Sequence, residues 1–144
     1  MPAKTEDQQS NGRWEEHLRF AWVGREDALK PNISGDGRRV SMRLSSRLVL
    51  YPEQRKVVET GMRLEIPDGF IGMAISDGNL AKEQGVVVAG GTRIVAPGDT
   101  SEFVVTLQNL GRNPVHMERG TRVFSLVLVP CPRIVLDEAG FLEE

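Results

Sequence analysis

The chain has 144 residues, of which 40% are hydrophobic and 26% charged, with a formal net charge of −2. That length fits one domain with a sizeable core, and the charge balance makes no general case for a nucleic-acid partner. No apolar run approaches membrane-spanning length, and no basic-apolar signal segment opens the chain. Residues 1–12, MPAKTEDQQSNG, are polar and are expected to form a flexible tail. In RWEEHLRFAWV, Trp14, Leu18 and Trp22 recur at helical spacing, whereas Leu18, Phe20 and Trp22 alternate as in a strand. Gly24 interrupts any helix there, so a strand is preferred. Residues 31–37, PNISGDG, are turn-formers and are expected to be a loop.

Short strands and turns follow. Leu48 and Leu50 alternate before Tyr51-Pro52, and Met62, Leu64 and Ile66 alternate before Pro67-Asp68-Gly69. The sequence GNLAKEQ, residues 78–84, is the one helical-looking piece in this half. Phe103, Val105 and Leu107 share a face before Asn109-Leu110-Gly111, and residues 123–129 are apolar on both faces except for Ser125. The last pattern predicts a central or intersubunit strand. Turn signals every eight to twelve residues give an all-β barrel or sandwich with little helix.

Motifs for chemistry are sparse. No Walker-type loop is present, His17 and His116 are far apart, and no serine lies in a nucleophile-elbow context. No metal-ligand set assembles, and no cofactor is expected. His116 reads as a solvent-facing strand residue. Cys131 is alone, which excludes an intrachain disulfide, fits a reducing intracellular compartment, and suggests a buried, inert thiol. Charge is asymmetric: residues 38–56 carry Arg38, Arg39, Arg43, Arg47, Arg55 and Lys56 against Glu53 alone. Arg38, Arg39, Arg43 and Arg47 are a candidate anion-binding face, although a solvated face is the simpler reading. Aromatic content of 6%, with none between Arg38 and Leu50, argues against stacking on single-stranded nucleic acid.

The run from Val58 to Pro130 resembles the trimeric dUTPase family. Glu59-Thr60-Gly61 through Ile66-Pro67-Asp68-Gly69-Phe70-Ile71-Gly72 is similar to that family's P-T-G-x-x-x-x-I-P-x-G-Y-x-G. Gln108 to Gly111 resembles its I-N-x-G turn, and Glu118 to Leu126 its K-x-G-D-R-I-A-Q-L strand. With LRFAWVGREDALKP included, the resemblance covers about residues 18–130. It implies a distorted, jelly-roll-like β-barrel over residues 13–130, assembled as a homotrimer, with residues 131–144 as an arm exchanged between subunits.

The family's pocket motifs are altered. Its R-S-S-L-A answers to Asp77, Gly78, Asn79, Leu80 and Ala81, which sets a carboxylate where an arginine would meet phosphate. At ~4 Å and an effective dielectric near 20, that reversal costs about 4 kcal/mol. In I-D-x-D-Y-R-G-E, whose leading aspartate positions the attacking water, the aspartate falls on Ala96; Gly98, Asp99 and Thr100 follow, and Glu102 is kept. A-G-Y-D-L has no match near Arg39 to Met42, the glutamine of A-Q-L is Ser125, and the glycine-rich tail has no counterpart. The degenerate pocket positions are thus Asp77, Gly78, Ala96, Asp99 and Ser125. They imply a scaffold without catalytic residues, similar to a dUTPase-derived early-region protein of adenoviruses. The expected function is a noncatalytic, trimeric protein-interaction module, viral and directed at an unidentified host protein. The alternatives are a structural, virion-associated trimer, or a divergent deoxynucleotide-binding protein or dUTP pyrophosphatase relative.

Overall fold

The computed structural model describes residues 14–24 and 27–141. The expected tail at 1–12 and the last three residues of the arm lie outside the described residues. Twelve short strands and one helix follow in chain order among the described residues. They are β1 (Arg19–Trp22), β2 (Asn32–Ile33), β3 (Val40–Arg43), β4 (Leu48–Leu50), β5 (Arg55–Glu59), β6 (Met62–Glu65) and β7 (Phe70–Ser76), then α1 (Gly78–Gln84), β8 (Val86–Val88), β9 (Thr92–Val95), β10 (Val104–Asn109), β11 (Val115–Met117) and β12 (Arg122–Pro130). Every pairing is antiparallel, in sheets ordered β1-β6, β5-β10-β8, β11-β4 and β2-β3-β12-β7-β9. This is the all-β barrel expected from the turn spacing, with one short helix.

The period of two in the sequence becomes a period of two in burial. Met62, Leu64 and Ile66 are buried while Arg63 and Glu65 face solvent, and Phe103, Val105 and Leu107 fill the same core. Phe124 meets Phe103 edge-on, their ring centroids 5.7 Å apart, at the centre of that core. The N-terminal segment resolves its ambiguity as a strand: β1 lies along β6 with Phe20 opposite Leu64.

β12 is central, as its two apolar faces require, running between β3 and β7. Its register shifts between Arg122 and Phe124, so the consecutive residues Val123 and Phe124 are both buried. A bulge of this kind leaves one residue out of the ladder and turns the strand locally. Further along, Val127, Leu128 and Val129 are only half-buried.

Two local expectations are corrected. The loop at 31–37 contains β2, because Asn32 and Ile33 pair with Ser41 and Val40 before Ser34 to Gly37 turn the chain. Cys131 is not buried: it follows β12 in an irregular, half-exposed segment, where its backbone N–H donates to Gly69 O at 2.9 Å. Beyond it, residues 132–141 are exposed and carry Ile134, Val135, Leu136 and Phe141 away from the core. Among the described residues, no helix is long and apolar enough to cross a membrane.

Candidate functional site

Asp77 ends β7 and caps α1. Its carboxylate accepts from Leu80 N at 3.0 Å, satisfying one of the free N–H groups of the first turn. The other carboxylate oxygen lies 3.5 Å from Arg122 Nε, with Asp77 largely covered and Arg122 more than half exposed. Asp77 is therefore fixed by structure on both sides. Gly78 is the first residue of the helix and exposed.

Ser125 lies on β12 opposite Ser41 of β3 and Ile75 of β7, and both serines are buried. Arg122, one bulge earlier, faces Arg43 across the same strand pair. The register thus gathers Asp77, Arg122, Ser125, Ser41 and Arg43 at one end of the large sheet. Sequence reasoning missed Arg122 and Ser41 as members of this group. Arg122 lay inside the strand motif, but only strand register reveals what it faces.

The second group is a turn. Ala96, Pro97, Gly98 and Asp99 follow β9, and Asp99 N donates to Ala96 O at 3.3 Å. Gly98 has φ 85°, which a side chain would strain. Ala96 is exposed and offers only a methyl group. Asp99 Oδ1 accepts from Ser101 N at 3.0 Å and from the Ser101 hydroxyl. Those two donors hold the Asp99 carboxyl below its ordinary range, chiefly through the hydroxyl. Glu102, next in the chain, accepts from Gly61 N at 3.0 Å and so braces the hairpin against the turn before β6.

The two groups do not meet within one chain. Val95 pairs with Gly72 while Asp77 lies beyond the other end of β7, so the turn sits roughly 20 Å along the sheet from Asp77. The four arginines are also spread out. Arg38 and Arg39 are exposed beside Asp36, Arg43 is half-buried, and Arg47 pairs with Glu118 at 3.8 Å. His116 is exposed on β11. Among the described residues, no group of three or more His, Cys, Asp or Glu side chains is placed to hold a metal ion.

A deoxyuridine 5'-triphosphate nucleotidohydrolase of Aquifex aeolicus is 33% identical over 104 residues, which span 72% of this chain and 68% of the relative. The chain belongs to the dUTPase family. The dUTPases of Cutibacterium acnes and Beijerinckia indica are similar, at 31% identity over 96 residues and 35% over 97. The matched parts cover 66% and 67% of this chain and 63% and 61% of those relatives, so the chain spans just under two thirds of their length. The dUTPase of Staphylococcus bacteriophage 80alpha superposes with a TM-score of 0.79 at 17% identity, over 89% of this chain and 99% of that one. The phage phi11 dUTPase of S. aureus gives 0.79 at 16%, over 90% of this chain and 100% of that one. At such identities the likeness is one of fold. No protein-family model matches the chain.

These dUTPase relatives overturn the noncatalytic protein-interaction module expected from the altered motifs, and with it the exclusion of enzyme activity. That expectation summed single-residue losses into a lost function. A substitution such as that at Ala96 weighs on the rate of a reaction, whereas the similarity to a dUTP nucleotidohydrolase extends over 104 residues.

Proposed function

We propose that this protein is a nucleotide phosphohydrolase of the dUTPase family, taking a deoxynucleoside triphosphate of the dUTP class and releasing pyrophosphate. The observation that carries the reading is the 104-residue similarity to a dUTP nucleotidohydrolase. In this reading water attacks the α-phosphorus, the bond to the bridging oxygen breaks, and pyrophosphate leaves with that oxygen. Ala96 cannot accept a hydrogen bond from that water. Asp99, in the same turn and positioned by Ser101, is a carboxylate that could orient it. Without a carboxylate at position 96 itself, turnover is expected to be slower than in an enzyme with an aspartate there.

A pocket that uses both groups needs a second copy of the chain, because turn 96–99 and the Asp77–Arg122 end lie far apart on one sheet. A homotrimer with the 131–141 arm laid on a neighbour supplies this arrangement. It would also cover Ile134, Val135, Leu136 and Phe141, which make no use of their own core.

Incubation with dUTP and magnesium, read as pyrophosphate formed above a buffer blank, tests the function. Asp99→Asn is expected to lower kcat while the protein stays folded. Ala96→Asp, restoring a carboxylate at the head of the turn, is expected to raise it by about 100-fold or more. Absence of pyrophosphate from dUTP and from the other deoxynucleoside triphosphates, in both the native protein and Ala96→Asp, would reject the reading.

A further inference from the structure

The two strands that flank the turn at 96–99 belong to different sheets. β9 is the outermost strand of the five-stranded sheet, and β10 is the middle strand of β5-β10-β8. Among the described residues no strand pairing joins the two stems of this loop. Beyond the turn the chain is firmly anchored. Glu102 accepts from Gly61 N, Phe103 N donates to Met62 O at 2.7 Å, and Phe103 O accepts from the Thr60 hydroxyl at 2.6 Å. Before the turn, β9 pairs with β7 alone, and at the tip a side chain on Gly98 would meet nothing within 4 Å.

Arg93 spans the gap between the stems. Alternate carbonyls of a strand point to the same side. Thr106 O of β10 accepts from Ala89 N at 2.8 Å, just past β8. Val104 O, two residues earlier, points the same way but lies beyond the β8–β10 register. Arg93 Nε donates to that carbonyl at 3.4 Å, and Arg93 Nη1 donates to Ile94 O on β9 at 2.9 Å. One half-buried planar cation thus serves an acceptor on each stem, where a ladder would otherwise do so. Its charge also reaches the turn. The Asp99 carboxyl is held below its ordinary range first by the Ser101 hydroxyl and then by Ser101 N–H, with Arg93 adding a smaller electrostatic pull.

We infer that Arg93 is a positioning residue for the turn 96–99, its guanidinium fixing the spacing of β9 from β10 and with it the place of Asp99. The local bonds between Asp99 and Ser101 shape the turn, but they do not tie it to the barrel. Arg93 makes that tie on the β9 side, as Glu102 does on the β10 side. The consequence for turnover rests on the nucleotide reading above; the holding of the loop does not.

The experiment compares the native protein with Arg93→Met, Arg93→Gln and Arg93→Lys by NMR relaxation, titration of the Asp99 carboxyl and pyrophosphate release from dUTP. Backbone order parameters over residues 96–101 are expected near the rigid value of about 0.85 in the native protein, falling to about 0.6 or lower in Arg93→Met while β12 is unchanged. Glutamine keeps a donor without the charge, and lysine keeps a donor with it, so both are expected to restore part of the order. The Asp99 titration is expected to move upward in the methionine and glutamine variants and to stay in place with lysine, which a purely mechanical brace would not produce. In turnover, Arg93→Met is expected to lower kcat about tenfold or more with KM changed less than about twofold. Unchanged order at 96–101 in Arg93→Met overturns the proposal, and so does loosening spread equally over the barrel. Native kcat in Arg93→Met, where the native protein hydrolyses dUTP, overturns it as well. A loosened loop and a charge-dependent Asp99 titration in a protein that forms no pyrophosphate leave the role of Arg93 standing and count against the nucleotide reading alone.

Discussion

Asn109 ties three segments together from a fully buried position. Its Nδ2 donates to Leu50 O at 3.0 Å and to Asn113 O at 2.8 Å, and its Oδ1 accepts from Gly111 N at 2.8 Å. Asn109→Leu would deprive the buried Leu50 carbonyl, the Asn113 carbonyl and the Gly111 N–H of their partner, a loss of about 2 kcal/mol expected in denaturant unfolding. Asp99 makes a different kind of prediction. Its folded-state pKa lies below 3.8, so its contribution to stability is present above the ordinary carboxyl range and is lost as pH falls through the lowered value. Ser101→Ala removes the hydroxyl and should move the Asp99 titration back upward, as NMR of the side-chain carboxyl would record. At this scale the sequence was legible where a motif carried its own geometry, as at Asn109. It was not legible for Arg43 and Arg122, since no spacing along the chain tells that residues 79 apart face each other across two strands.

α1 shows how little sequence a short helix needs when both ends are specified. Asp77 caps its start, and Gly85 ends it in the left-handed region at φ 74°, with Gly85 N donating to Ala81 O. Gly85 has a second reason to be glycine: a Cβ there would lie 2.8 Å from Gly111 N, a backbone atom with nowhere to go. Gly85→Ala is therefore expected to cost about 2 to 3 kcal/mol, from the strained φ and the clash together. Asp77→Ala should cost about 1 kcal/mol for the lost cap, with unfolding midpoints as the measure of both. The strands were read correctly wherever apolar residues alternated, because burial on one face leaves that alternation no other use. β2 was missed for a physical reason. Two residues bounded by Pro31 and Gly35 carry no periodicity, and only their partner β3 makes them a strand.

On the scale of the molecule, the architecture could be read from turn spacing, and the family from the run between Val58 and Pro130. The enzymatic reading, a dUTP pyrophosphatase relative, stood there only as an alternative, because altered pocket residues were taken as the loss of the activity for which the relatives are named. Assembly gives the decisive measurement at this scale. Light scattering at micromolar concentration is expected to give about three times the 16.0 kDa chain mass. A monomer would reject the shared pocket. Truncation after Pro130 is expected to weaken the trimer, and an unchanged trimer would remove the arm from the interface.

The place of β12 in the chain also shapes how the protein is made. β3 and β7 are not neighbours in the large sheet; each is paired to the other only through β12, the last strand to leave the ribosome among those described. A nascent chain synthesised as far as residue 121 holds both of those strands with an open edge and lacks Phe124 and Leu126, the side chains that close the core. At roughly 5–20 residues per second, that exposure lasts for seconds on every ribosome. The barrel is thus completed in a single late step, and until then its longest edges are open to holdase chaperones, proteases and neighbouring nascent chains on the same message.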